Sequence, residues 1–132
     1  MKKYLLLLFI VLLNIDVSGQ ESEANSIADF FKVGDVKGIS GYFPESIDMT
    51  IVETEDVFSK VQATQILTQF FKSNNPTDFI VKHKGSSTGG DYYQIGTLKT
   101  KKGSYRVTFF LKKDDGQVFI KRLKIEANEG NF

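Results

Sequence analysis

The chain of 132 residues contains no cysteine and one histidine, and these shortages exclude several kinds of site. Without cysteine, the protein can form neither a disulfide nor a thiolate metal site, and it has no thiol nucleophile. Zinc sites are built mainly from cysteine and histidine, so a single imidazole leaves such a site short of ligands. The acidic run at residues 53–56 lacks the spacing of a calcium-binding loop, and we interpret it as a solvated turn. We therefore predict no metal and no cofactor.

Long hydrophobic runs are also scarce, and the main one lies near the start of the chain. It extends from Tyr4 to Leu13, after two lysines and before small residues that end at Gly19. This order is typical of a secretory signal peptide, and the run is shorter than the roughly 20 residues that a membrane-spanning helix needs. The sequence predicts a signal peptide over residues 1–19 and an exported protein, periplasmic or secreted, without stable membrane insertion.

The formal net charge is only +1, but the charges are unevenly distributed along the chain. Residues 20–57 contain two lysines and nine acidic residues, whereas residues 58–132 contain thirteen basic and six acidic residues. Folding can mix the two halves into a compensated surface, or it can leave a basic sheet face that attracts an anionic partner. We expect no nucleic-acid partner for an exported protein.

Two helices are predicted before the first strand. In residues 20–33 apolar residues recur at helical spacing, and Gly34 follows where a helix would end. In residues 36–43 an apolar face is interrupted by two glycines and ended by Pro44, which predicts a short second helix. The apolar residues of the first helix are Ala24, Ile27, Ala28 and Phe31.

The pattern that follows Phe58 predicts a longer helix. Ser59 and Gln62 form an S-x-x-Q capping box at its start. An apolar stripe then follows at the spacing i, i+3, i+4, i+7 and i+8, which is typical of a helix with one buried face. The residues of this stripe are Ala63, Ile66, Leu67, Phe70 and Phe71. We expect the stripe to pack against a sheet.

Alternation of apolar and polar residues predicts the strands. Ile47, Met49 and Ile51 alternate with polar residues and indicate a half-buried strand. Four further strands, separated by short turns, are predicted at residues 79–84, 91–100, 104–113 and 117–126. This order predicts an α+β domain over residues 20–127, in which the N-terminal helices and one long helix pack on a curved, mainly antiparallel sheet. A frayed tail is predicted at residues 128–132.

The single histidine lies in the stretch HKGSSTGG, residues 83–90. The stretch lacks the G-x-x-x-x-G-K-[ST] pattern of a phosphate loop, and no G-x-S-x-G elbow supports a catalytic triad. Counting by twos places Phe79, Val81 and His83 on one face of a strand. We interpret the stretch as a turn between two strands, with His83 extending an apolar row toward the rim of the sheet.

Several segments together resemble a family of exported proteins of Bacteroidota, domain-of-unknown-function family 4783. The resemblance is carried by the helix FSKVQATQILTQFF, the strands and turn FIVKHKGSSTGGDYYQIGTL, and the strand YRVTFFLKK, and it covers roughly residues 22–126. It implies an NTF2-like or cystatin-like fold, a cone in which a bent sheet wraps a long helix and often encloses a pocket. It implies no activity, and a fold alone does not identify one.

Three functional hypotheses follow. The first is an exported, non-enzymatic binding or interaction module for a small hydrophobic ligand or a protein partner, with His83, Tyr93 and Tyr105 as ligand-binding residues. The second is a small enzyme acting on a hydrophobic substrate in the cone, with His83 as acid or base and a tyrosine as hydrogen-bond donor. The third is an envelope module that binds an anionic glycan or lipid through Lys82, Lys84, Arg106, Lys112 and Lys121.

The outer side of the sheet is a further candidate surface. Phe110, Val52 and Ile80 are expected there, where they could form an apolar patch for a homodimer or another partner. The alternative is that the first two helices cover this patch. We assign no catalytic residue.

Overall fold

A computed structural model describes residues 19–128 of the chain. The predicted signal peptide, apart from Gly19, and the predicted tail, apart from Asn128, lie outside the described residues. The helices are α1 (Gly19–Val33), α2 (Val36–Ser40) and α3 (Lys60–Ser73), and the strands are β1 (Ser46–Ile51), β2 (Thr54–Ser59), β3 (Pro76–Ser86), β4 (Tyr92–Thr100), β5 (Gly103–Asp114) and β6 (Gln117–Ala127). No helix within residues 19–128 is long and apolar enough to cross a membrane.

The six strands form one sheet in the order β2-β1-β6-β5-β4-β3. The predicted antiparallel meander is confirmed for β3 to β6, because each of these strands pairs with the next. The last strand also pairs with β1, and this pair is parallel. The protein therefore has the predicted α+β class with a mainly antiparallel sheet.

Strand β2 corrects the sequence-based prediction of a solvated turn at residues 53–56. The turn itself occupies Val52 and Glu53, and the chain then returns as β2, antiparallel to β1. Thr54, Glu55, Asp56 and Val57 are all exposed, so this edge strand lacks the apolar alternation by which strands are recognised. Its charged residues suit an edge, where they oppose pairing with another chain.

The two faces of the sheet differ in what they contact. The inner face carries buried side chains from four neighbouring strands, among them Leu98, Phe109, Leu123 and Met49, of which the last three are in register. Phe31 of α1 lies on this face, with its ring centroid 5.5 Å from that of Phe79 and 6.1 Å from that of Phe109. The centre of the cone is therefore filled with side chains.

Helix α3 begins and packs as the sequence predicts. The Ser59 Oγ atom accepts a hydrogen bond from the Gln62 N–H, and the Ser59 N–H donates to the Gln62 Oε1 atom, each at 3.1 Å. The buried part of the stripe consists of Ala63, Leu67, Phe70 and Phe71. Phe71 contacts Phe31 edge-on at 6.1 Å, so α1 and α3 share one core beneath the sheet.

Candidate functional site

Tyr105 lies on the inner face, and its hydroxyl group is bound to the residue that follows α3. It is opposite Leu98 in the sheet, and residues opposite each other in an antiparallel pair share a face. Its Oη atom donates to the Oδ1 atom of Asn74 at 2.8 Å, and its ring contacts Phe70 edge-on at 5.0 Å. These contacts make Tyr105 part of the packing between the sheet and the end of α3.

His83 lies on the outer face, because a β-bulge precedes it. Val81 is opposite Gly96, but His83 is opposite Ile95, so two steps along β3 match one step along β4. The bulge at Lys82 therefore moves His83 away from the face of Phe79. The prediction that His83 continues the Phe79 row is wrong, and its side chain is exposed. It does not face the interior of the cone, as the enzyme hypothesis required.

Tyr93 shares the outer face with His83. It is opposite Phe110 on β5, and the two rings are 6.0 Å apart with a tilt of 41°. On the other side it is opposite Gly85, where a Cβ atom would lie 3.3 Å from the Tyr93 Oη atom. The structure thus brings two of the three predicted site residues together and places Tyr105 on the opposite face.

The stretch HKGSSTGG is a strand end followed by a turn, as predicted. Strand β3 ends at Ser86 and β4 begins at Tyr92. The Ser87 N–H donates to the Asp91 carbonyl at 2.7 Å, and the Gly90 N–H donates to the Ser87 carbonyl at 3.0 Å. Gly90 has a φ of +88°, a conformation that glycine adopts readily.

Beside this turn lies a cleft of about 170 Å³, which is lined by Ser87, Phe110 and Arg122.

Around Tyr93, half-buried apolar side chains form a continuous surface that we call the outer patch. It consists of Ile80, Tyr93, Ile95 and Phe110, with the exposed His83 at its edge. Thr97 and Thr108 fill the positions between them and are themselves buried. Val52 is not part of this patch. It occupies the turn between β1 and β2 with a φ of +57°, and four strand spacings, or about 19 Å, separate β1 from β3.

The outer face has a charged half next to this apolar half. Residues in register form two rows across all six strands, from β2 to β3. The first row is Val57, Asp48, Arg122, Phe110, Tyr93 and Gly85, and the second row is Glu55, Thr50, Lys124, Thr108, Ile95 and His83. The charged residues Asp48, Arg122, Glu55 and Lys124 all lie on β2, β1 and β6, whereas Phe110, Tyr93 and Ile95 lie on β5 and β4. Val57 on β2 is the one exposed apolar residue in the charged half of these two rows.

The basic residues proposed to hold an anionic envelope component do not share one surface. Lys84 is opposite Gln94 on the inner face and binds Glu21 of α1 at 3.0 Å. Its pKa is raised, first by the hydrogen bond to Glu21 and then by the charge of that carboxylate. Lys121 binds Asp91 at 3.0 Å beside the turn after β3. The cations are thus divided between two faces and partly paired within the chain.

The sequence pattern of the family DUF4783, described as a domain of unknown function, matches residues 24–126. A DUF4783 family protein from Bacteroides ovatus is 28% identical, with a TM-score of 0.73 over 80% of this chain and 94% of that chain. No protein with a curated description matches.

Two more distant structures share the fold. A protein named Rd1NTF2_04 with long sheet is 15% identical, with a TM-score of 0.61 over 81% of this chain and 99% of that chain. An uncharacterised cystatin fold protein from Novosphingobium aromaticivorans is 12% identical, with a TM-score of 0.56 over 82% of this chain and 97% of that chain. These likenesses show an NTF2-like, cystatin-like fold and nothing about activity.

Proposed function

Because the chain belongs to the DUF4783 family, a domain of unknown function that brings no activity with it, we propose from its surface that it is an exported, non-enzymatic interaction module that binds through the outer patch. The observation that carries this proposal is the Tyr93–Phe110 ring pair, which is half-buried on the face opposite to the helices. Aromatic groups in such positions are enriched at protein interfaces. His83 and Tyr93 belong to the proposed surface. Tyr105 is left out of it because its hydroxyl group and ring already contact α3.

Export is the part of this proposal that rests on the N-terminal pattern of residues 1–19. We expect the mature chain to begin at Gln20. Intact-mass measurement of the protein recovered from a periplasmic extract checks this expectation. A recovered chain that retains residues 1–19 would contradict it.

The partner that fits the outer patch best is a second copy of the chain. In the dimer that we propose, the outer faces of two sheets lie against each other and are related by a twofold axis parallel to the strands. Each row of one copy then lies antiparallel to the same row of its partner, so the contact is self-complementary. The second row places Glu55 opposite His83, and the first row places Arg122 opposite Phe110. The charged half of each copy thus covers the apolar half of the other.

This arrangement matches unlike groups at these two pairs of positions. An acidic residue meets an imidazole, and a guanidinium group meets an aromatic ring, a contact that is favourable when it is partly desolvated. A twofold axis perpendicular to the strands would instead bring β2 against β2 and Glu55 near its own copy. The parallel axis therefore avoids like charges that the other axis would bring together.

Sedimentation equilibrium tests the proposal directly. We expect the wild-type protein to dimerise and Phe110→Glu to be monomeric, because a carboxylate would be buried in the apolar centre of the contact. Val61→Glu is the matched control, since Val61 is 67% exposed on α3, away from the patch. A monomeric wild-type protein, or dimerisation that persists in Phe110→Glu, would overturn the proposal.

A further inference from the structure

An open cleft of about 400 Å³ lies where α1 and the end of α2 meet the hairpin of β5 and β6. Its walls include Glu23 of α1, Tyr42 just after α2, and residues 116–119 at the turn and the start of β6. Clefts of this size hold small molecules in many proteins. The cleft therefore has room for a ligand, and its chemistry is that of the side chains on its walls.

The polar wall of the cleft is a hydrogen-bonded pair. The Tyr42 hydroxyl group donates to the Glu23 Oε2 atom, and the Ile120 N–H donates to the Tyr42 carbonyl at 2.8 Å, which ties this tyrosine to β6. Burial above all, together with the hydrogen bond to Glu23 and the charge of Glu23, raises the Tyr42 pKa to about 12. The hydroxyl group is therefore protonated at neutral pH, and the negative charge of the pair lies on Glu23, in an orientation that Tyr42 fixes.

This charge has no cationic partner within residues 19–128. None of the ion pairs among these residues includes Glu23. Glu23 is also the only charged residue among the described residues that line the cleft. Its carboxylate is half-buried, so less water screens it than a fully exposed group. The electrostatics of the cleft therefore favour a ligand with one positive charge.

The opposite wall of the cleft is apolar. It is formed by Val118 and Phe119 at the start of β6, and both side chains are half-buried. Val118 also packs against the hydrophobic core, which holds this wall in place. A ligand that suits both walls has a cationic group at one end and an apolar chain at the other.

We propose that this cleft binds a small primary amine with an apolar chain, in its ammonium form. The ammonium group donates hydrogen bonds to the Glu23 carboxylate, and the chain lies against Val118 and Phe119. Hydrogen bonds between charged groups are stronger than those of neutral groups, so an alcohol with the same chain should bind more weakly. No residue of the outer patch lines this cleft, and neither proposal depends on the other.

Nuclear magnetic resonance titration with n-butylamine tests the site, with butan-1-ol as the matched neutral probe. We expect butylamine at neutral pH to shift the backbone amides of residues 22–24, 41–43 and 116–119 in a saturable manner. Its Kd should be at least about tenfold lower than that of butan-1-ol, which lacks the charge. Methylamine has the same charge without the chain, and it should bind at least about fivefold more weakly than butylamine.

The variant Glu23→Gln removes the charge and keeps the shape of the side chain. It should raise the Kd of butylamine about tenfold and leave that of butan-1-ol unchanged, which also shows that the cleft is intact. The control is Asp29→Asn, which changes the net charge by the same amount. Asp29 is exposed and lies about 9 Å from Glu23 along α1, so this variant should bind butylamine as the wild type does.

Three results would overturn the proposal. The first is a set of non-saturable shifts in the wild-type protein. The second is an equal Kd of butylamine in the wild type and Glu23→Gln, or an equal loss in Glu23→Gln and Asp29→Asn, because binding would then not use the Glu23 carboxylate. The third is an equal Kd of methylamine and butylamine, because the apolar wall would then contribute nothing. Sedimentation results on the outer patch affect none of these outcomes.

Discussion

Three tyrosine hydroxyl groups have different surroundings in this protein. Tyr42 donates to a Glu23 carboxylate oxygen of α1, and burial together with this carboxylate raises the Tyr42 pKa to about 12. Tyr105 donates to Asn74, whereas Tyr92 has no partner among residues 19–128. A hydroxyl group stabilises the fold only when its partners replace the water that it loses. The same loss of one oxygen atom should therefore change stability differently at each position.

Tyr105→Phe and Tyr92→Phe should change stability in different directions. Tyr105→Phe leaves the Asn74 oxygen without its donor and should lower the free energy of unfolding by about 1 kcal/mol. Tyr92→Phe removes an unsatisfied buried group and should leave the free energy of unfolding unchanged or raise it. Urea unfolding of the two variants and wild type measures both effects. An equal loss in both variants would show that Tyr92 already has a partner.

The orientation of single residues was the least predictable property of the candidate site. Simple alternation places His83 on the face of Phe79, and the bulge at Lys82 reverses that assignment. A bulge depends on how β3 pairs with β4, and none of residues 81–84 is of a type that predicts one. Tyr93 shows the same limit, since its partner Phe110 could be identified only from the register of β4 and β5.

At the scale of elements, what the sequence could predict depended on burial. Helix α3 was predictable because its capping residues and its apolar stripe are both local. Strand β2 was not, because its exposed side chains carry no pattern and it is held by pairing with β1. The parallel pairing of β6 with β1 joins segments about 74 positions apart in the chain, as Asp48 and Arg122 illustrate, and local periodicity contains no information about it.

Gly96 shows why one strand needs a glycine within its length. The Phe79 ring lies across the inner face of β4, and a Cβ atom at Gly96 would approach the Phe79 Cζ atom to 2.4 Å and the Ile80 carbonyl oxygen to 2.9 Å. Gly96→Ala should therefore lower the free energy of unfolding by about 1–3 kcal/mol, because Phe79 would have to move within a packed core.

The matched control for this substitution is Gly89→Ala, in the turn before β4. A Cβ atom at Gly89 would meet nothing within 4 Å, so this variant should unfold at nearly the wild-type temperature. Thermal unfolding followed by circular dichroism measures both variants. A Gly96→Ala protein as stable as Gly89→Ala would show that Phe79 does not lie against this strand.

At the scale of the whole molecule, the two faces of the sheet have different roles. The inner face builds the core with α1 and α3, and the outer face carries the outer patch beside a charged half. The sequence indicated the α+β class and the inner core, because periodicity reports which residues are buried. It could not place Asp48, Arg122 and Phe110 in one row, because that row combines strands that are distant in the chain.

The absence of cysteine allows the central claim to be tested by one cross-linking measurement. In the proposed dimer, Glu55 of one copy faces His83 of the other, whereas β2 and β3 lie at opposite edges of the sheet within one copy. Packed sheets lie about 10 Å apart, which is too far for a direct disulfide between facing strands but within reach of a short bismaleimide. The double variant Glu55→Cys with His83→Cys should therefore be cross-linked by such a reagent to a dimer that is visible on a denaturing gel. The control Val61→Cys with His83→Cys should run as a monomer on the same gel, because Val61 lies on α3, away from the patch. If the Glu55→Cys, His83→Cys protein also runs as a monomer, the outer patch does not hold a second copy in this arrangement.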